Sequence, residues 1–168
     1  MMIELSLDDQ ITIVEGLSIA ETVWSGSHKI TNENRLKGFM GEAAASIFLT
    51  GSVTAWSEGF EHWGERQSSP DIWGLPNIEV KTLVESSHRF IPLAAPYETQ
   101  IKTDADGFLG MRFVAGMTME VVGWITKKEA QRIYSTNGRS TPKGTPAILA
   151  SELEPPSLCP WVREPLSA

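Results

Sequence analysis

The stretch Pro70-Asp71-Ile72-Trp73-Gly74-Leu75-Pro76-Asn77-Ile78-Glu79-Val80-Lys81-Thr82 constrains the fold of this chain more than any other. Gly74-Leu75-Pro76-Asn77 reads as a tight turn, because Gly, Pro and Asn supply the dihedrals that turns require. Ile78, Val80, Leu83 and Val84 give the residues after the turn the apolar content of a strand, and the residues before it read as a strand too. Side chains alternate along a strand, so Glu79 and Lys81 share one face while Val80 points to the other. Asp71, at the start of the first strand, is expected beside that polar face. Two carboxylates and an amine at the open end of a hairpin need a reason, and a metal site is one.

The chain around this stretch has 168 residues, which suits one domain over residues 1–168, and no linker or internal repeat divides it. No run is long and apolar enough to span a bilayer, so no membrane partner is expected. The start, Met-Met-Ile-Glu-Leu, lacks the basic region and apolar stretch of a signal peptide. Cys159 is the only cysteine, which rules out an internal disulfide and fits the reducing cytoplasm. The net charge of −7 argues against a protein that coats nucleic acid through bulk electrostatics. The charge is uneven, however. No Lys or Arg precedes Lys29, whereas Lys127, Lys128, Arg132, Arg139 and Lys143 face Glu129 alone over residues 127–143.

Taken in order, the chain begins with a short extended segment followed by a helix that ends near Gly26. Residues 35–49 read as a second helix, with Leu36, Phe39, Met40, Ala43, Ile47 and Phe48 at three- and four-residue spacing and Gly51 as its stop. Gly38, Gly41 and the alanines leave little bulk, so this helix can lie close to a sheet. Glu42 sits one position from its apolar stripe, where an exposed helical glutamate is the ordinary reading. A strand is expected near 53–56, then a loop to Asp71. Phe90-Ile91-Pro92-Leu93 looks extended. Phe108–Val114 and Met119–Ile125 read as two more strands. Thr126 and Glu129 form a capping box for a helix from Lys127 to about Ile133 or Tyr134. Ser135 to Pro146 reads as a mobile loop, Ala147-Ile148-Leu149 as a short apolar segment, and the Pro-rich residues 155–168 as an irregular surface tail. The fold class expected is α/β: a central mixed β-sheet flanked by helices.

Asp71 and Glu79 are hard oxygen ligands of the kind Mg2+ and Mn2+ prefer. Lys81 could orient or activate a water, or stabilise charge on a phosphate oxygen. Together these groups fit metal-assisted hydrolysis of a phosphodiester. Pro70-Asp71 followed by Glu79-Val80-Lys81 resembles the PD-(D/E)XK signature of the restriction-endonuclease-like nuclease superfamily, small phage and bacterial type. Gly38-Phe39-Met40-Gly41-Glu42 is similar to the Gly-x-x-Gly-Glu of the first core helix in many members. The paired strands and Gly123-Trp124-Ile125-Thr126 before a helix are similar to the later core. The resemblance spans residues 35–134.

The resemblance implies a restriction-endonuclease-like core and a Mg2+-dependent deoxyribonuclease, with Mn2+ as a substitute. In that reading Asp71 and Glu79 bind the metal, the Val80 carbonyl is a further ligand, Glu42 ligates directly or through water, and Lys81 acts on the attacking water. It implies DNA as the partner, endonucleolytic cleavage and 5′-phosphate ends. It also leaves room for a homodimer, for a protein partner supplying specificity, and for a phage gene acting in a bacterial cytoplasm. A non-catalytic nucleic-acid- or protein-binding module on the same fold, and a Holliday-junction resolvase, remain alternatives; the acidic net charge favours the first of these and the complete acid–lysine set disfavours it. Lys29, Arg35, Lys37, Arg89, Lys127, Lys128 and Arg139 are candidate phosphate contacts, each weighed against an ordinary solvated charge. Trp56 and Trp63 are the better candidates for base stacking, while Trp73 and Trp124 are expected in the core. Asp104 and Asp106 are expected to start a turn rather than add to a metal site. His28, His62 and His88 have no ligand spacing and are expected in surface or structural roles.

Overall fold

Gly107–Ala115 and Thr118–Thr126 form the longest hairpin of the protein and the middle of its sheet. In the computed structural model, described over residues 1–23, 32–62, 71–85, 87–94, 100–101, 104–142 and 144–163, these strands are β4 and β5. Gly116, with φ of 54°, turns one into the other. β1 (Met2–Glu4) adds antiparallel to β5, and β2 (Ile78–Leu83) adds parallel to β4, from Ile78 opposite Gly107 to Leu83 opposite Arg112. The sheet order is therefore β1-β5-β4-β2, mixed and four-stranded, as the sequence predicts for an α/β core. A parallel pair needs a crossover. Residues 84–106 make it, and they include β3 (Phe90–Pro92), which pairs with β6 (Ala147–Leu149) in a separate two-stranded ribbon.

Helices α1 (Leu7–Val23) and α2 (Asn32–Thr50) cover one face of the sheet, packing on Ile78, Val80, Leu109, Met111, Met119 and Val121. The β3–β6 ribbon and α4 (Lys127–Asn137) cover the other, around Leu83, Phe108, Ile125 and Ala130. The capping box expected for α4 is present, with Thr126 accepting from the Glu129 N–H. The helix runs three residues beyond Tyr134, into the segment expected as loop, and stops at Gly138 in the left-handed region.

Two expectations are corrected. Residues 53–56 are not a strand: α3 (Thr54–Ser57) and a 3-10 turn over Glu58–His62 replace it. The four-residue spacing of Trp56 and Phe60 explains this, because a helical path places both aromatics against α2 and Gly16 of α1. The hairpin around Gly74 is likewise absent in its expected form. Residues 71–77 run as bends and turns, with the Trp73 N–H bonded to the Ala55 carbonyl at 2.8 Å, and the sheet partner of β2 is β4. The described part of the C-terminal tail is irregular and mostly exposed, as expected, and it is docked through the residues at its start and through Cys159 and Trp161. Glu154 exchanges both backbone hydrogen bonds with Trp124 on the open edge of β5, and Trp161 packs edge-on against Trp124.

Candidate functional site

α2 reaches the β2 edge of the sheet because Gly41 has no side chain. A Cβ there would lie 1.9 Å from Thr82 Oγ1, whereas a Cβ at Gly38 would meet nothing within 4 Å. The helix therefore comes hard against β2 at Gly41, one residue before Glu42. Trp56 Nε1 donates to Glu42 Oε2 at 2.8 Å. The indole is fully buried and held edge-to-face by Phe39 and Phe60, with ring centroids 5.6 and 4.6 Å away. Trp56 is thus a clamp on a carboxylate and not a surface for stacking bases.

Glu42 is half-buried, and loss of hydration at its carboxylate pushes its pKa well above the usual carboxylate range. The charge of Asp71 raises it further and that of Glu79 adds to this, while the Trp56 indole and Lys81 pull it down. Glu42, Asp71, Glu79 and Lys81 thus stand within electrostatic reach of one another. Asp71 gets there without being in a strand. Its Oδ2 accepts the Val80 N–H at 2.6 Å, so the side chain caps a donor on the β2 edge that faces away from β4. Glu79 and Lys81, on one face of β2, join through Glu79 Oε1 and Lys81 Nζ at 2.5 Å. Their side chains are only 11% and 15% exposed, so this pair is far more sheltered than a surface ion pair.

Each of the three carboxylates is engaged with a protein donor: Glu42 with Trp56, Asp71 with the β2 backbone, Glu79 with Lys81. Among the described residues no group of three His, Cys, Asp or Glu side chains is closed enough, as it stands, to hold a metal ion. The donor set is nonetheless one of hard oxygens under mutual repulsion, which fits Mg2+.

Other nominated residues scatter. Lys29 and Trp63 lie outside the described residues. Lys37 bonds Glu33 at 2.7 Å and sits 4.5 Å above the Phe113 ring. Arg35 is half-buried on the same helix, and Arg89 is exposed. Lys127 and Lys128 open α4, on the opposite face of the sheet from α2, so these cations do not form one surface. Within the basic stretch, Arg132 pairs with Glu129 and Arg139 with Glu152. Asp106 accepts the Asn77 N–H and the Asp104 carbonyl accepts from the Asn77 amide, both at 2.8 Å, tying the start of β2 to the approach to β4. His88 pairs with Glu85 on the surface.

Trp73 reverses its expected placement. It is 36% exposed, and its ring stacks on His62 with centroids 4.0 Å apart and planes 13° from parallel. Sequence reasoning also missed Trp56 as the partner of Glu42; its four-residue spacing to Phe60 is the signal that pointed inward. Compared with family models, with curated proteins and with solved structures, the chain matches none.

Proposed function

We propose that this protein is a Mg2+-dependent deoxyribonuclease of the PD-(D/E)XK type, an endonuclease leaving 5′-phosphate ends in a bacterial cytoplasm. One observation carries the reading: a half-buried glutamate, Glu42, lies within electrostatic reach of two further acids, Asp71 and Glu79, and of Lys81. Crowding carboxylates in a water-poor site is destabilising unless a cation relieves the repulsion. Asp71, Glu79 and Glu42 would hold Mg2+ or Mn2+, and the Val80 carbonyl would join them because Val80 presents its backbone to the open edge of β2. Such an ion would supply electrostatic stabilisation of the charge that develops on the phosphate. Lys81, held by Glu79 as a hydrogen-bond donor, would orient the attacking water and offset charge on the phosphate, while the water's proton passes to solvent and the departing 3′ oxygen takes a proton from solvent. The water oxygen bonds to phosphorus in line with the departing 3′ oxygen, the P–O3′ bond breaks, and the phosphate stays on the 5′ end. Trp56 holds Glu42 in place throughout.

A second reading, a non-catalytic nucleic-acid- or protein-binding module, is favoured by the net charge of −7 and by the protein donor each carboxylate already has. Incubation with supercoiled, linear and single-stranded DNA and a four-way junction, in Mg2+, Mn2+ and EDTA, separates the two. Metal-dependent cleavage is expected, falling by about 100-fold or more in Asp71→Ala and in Lys81→Ala. Cleavage that survives both substitutions, or none on any substrate, overturns the nuclease reading. Cleavage confined to the junction identifies a resolvase.

A further inference from the structure

His62 and Trp73 make a flat aromatic stack beside the proposed acid cluster. Trp73 follows Asp71 by two residues, so their Cα atoms are at most about 7 Å apart. Between them Ile72 is fully buried, which anchors the chain, and the Trp73 N–H is bonded to Ala55. The ring is therefore held at a fixed place, yet it is 36% exposed, while Trp56 nearby is 1% exposed. Trp73 therefore offers part of an aromatic surface to solvent, where Trp56 offers none. His62 gives the stack a second ring nearly parallel to the first. A cation is tied to the neighbouring backbone: the Arg163 guanidinium donates to the carbonyl of Gly74, the residue after Trp73. That bond leaves the guanidinium further N–H donors pointing elsewhere.

An exposed ring, a parallel ring under it and a guanidinium alongside are the complement of a nucleotide, with a π-face for the base and a charge for its phosphate. Successive phosphates of one strand lie about 3.4 Å apart along a duplex axis, so a base one or two nucleotides from the cut phosphate falls within range of Trp73. A base in an intact duplex is stacked on both sides and offers no face to a ring. We infer that Trp73, backed by His62 and flanked by Arg163, is a stacking platform for an unpaired nucleobase, so that the substrate is a nucleic acid with a single-stranded or splayed segment next to the scissile phosphate. The inference rests on the nuclease reading for its location beside the site, and on the exposed stack for its chemistry.

Binding in EDTA isolates the platform from catalysis. Equilibrium binding of a single-stranded oligonucleotide and of a blunt duplex of the same sequence is measured by fluorescence anisotropy for the wild type, Trp73→Ala, Trp73→Phe, His62→Ala and Arg163→Ala, with folding checked by circular dichroism. The single strand is expected to bind tighter than the duplex. Trp73→Ala is expected to weaken single-strand binding by about 5- to 150-fold and Trp73→Phe by much less. Arg163→Ala should weaken single-strand binding and flatten its salt dependence. Equal single-strand affinity of wild type and a folded Trp73→Ala overturns the platform, and so does tighter binding of the duplex. If Trp73→Ala does not fold, Trp73→Phe and His62→Ala decide: unchanged binding in the folded His62→Ala together with loss in Trp73→Phe overturns it, because a stack would show the reverse order. Metal-dependent cleavage by the wild type is assayed in parallel. Cleavage without any Trp73 effect leaves the nuclease reading standing and removes the platform, whereas a Trp73 effect without cleavage leaves the platform on a non-catalytic protein.

Discussion

Glu42 is an acid that its surroundings make reluctant to ionise. Its folded pKa is raised, first by burial and then by Asp71. Between the ordinary glutamate value of about 4.3 and that raised value, the folded chain binds more protons than the unfolded one. Stability in EDTA must therefore fall as pH rises through this window, and level off above it. Glu42→Gln removes the ionisation while keeping an oxygen for the Trp56 indole. Near neutral pH and without metal it is expected to be more stable than the wild type by about 1 kcal/mol, or about 2–4 °C in Tm for a chain of this length. The two proteins should converge toward acid pH. Parallel Tm-against-pH curves for the two would show that Glu42 titrates normally. Divalent metal should act in the opposite sense. Mg2+ at about 100 times its Kd is expected to add about 2.7 kcal/mol to the wild type, measured as a Tm rise against EDTA, and markedly less to Asp71→Ala. A wild-type Tm that ignores Mg2+ at saturating concentrations would mean that the acids hold no ion.

At the scale of elements, the contact between α2 and β2 sets where Glu42 sits, and it hangs on one glycine. Gly41→Ala drives a methyl into Thr82 Oγ1 and is expected to destabilise by about 1–3 kcal/mol. Gly38→Ala, on the same helix with open space beside it, is expected to stabilise by about 0.5–1 kcal/mol through helix propensity alone. Urea titrations distinguish them, and adding Thr82→Ala should recover part of the Gly41→Ala loss but change nothing for Gly38→Ala. Equal effects at the two glycines would contradict the close approach. The helix itself was legible, since Leu36, Phe39, Met40 and Ala43 repeat with helical spacing, and so were β2, β4, β5 and the Thr126 cap. What was not legible was made by bonds without a period. Asp71 reads as the start of a strand because its neighbours are turn formers and apolar residues, but its carboxylate bonds the backbone of Val80, nine residues on, in place of a ladder. Such a side-chain contact leaves no pattern in the sequence. Val53 and Trp56 have strand propensity, and the tertiary demand of Trp56 and Phe60 for one aromatic pocket overrides it.

Over the whole molecule, the C-terminal segment ties together parts that the sheet alone leaves apart. It crosses the open edge of β5 at Glu154, and three strand glycines make room for it. A Cβ at Gly107 would meet Trp161 at 2.2 Å, one at Gly110 would meet Leu153 at 2.7 Å, and one at Gly123 would meet the Glu154 carbonyl at 2.4 Å. Glycine inside a strand marks a close approach of another segment, a cue that the proline-rich composition of the tail obscured. Beyond Trp161, the Arg163 N–H reaches the Leu49 carbonyl at 2.7 Å and its guanidinium reaches Gly74, so the tail links the end of α2 to the loop that carries Asp71. Cys159 reports whether this strap is docked. It is the only cysteine, it is buried, and burial raises its thiol pKa, although backbone N–H groups of Trp161 and Val162 partly offset this. A thiolate reagent such as dithionitrobenzoate must therefore wait for the segment to lift before it finds a reactive sulfur. Trp161→Ala removes the ring that fills the space over Gly107 and rests on Trp124, a loss of about 1–3 kcal/mol of docking that should speed the reaction of Cys159 by about 5- to 150-fold. Met2→Ala, an exposed residue of β1 opposite Glu120 at the other end of β5, should leave the rate unchanged. A wild-type thiol that reacts as fast folded as in urea, or a Trp161→Ala rate equal to wild type, would show that the strap does not hold; a rate raised by Trp161→Ala alone would show that docking of the tail is a separate, weaker step than folding of the sheet it crosses.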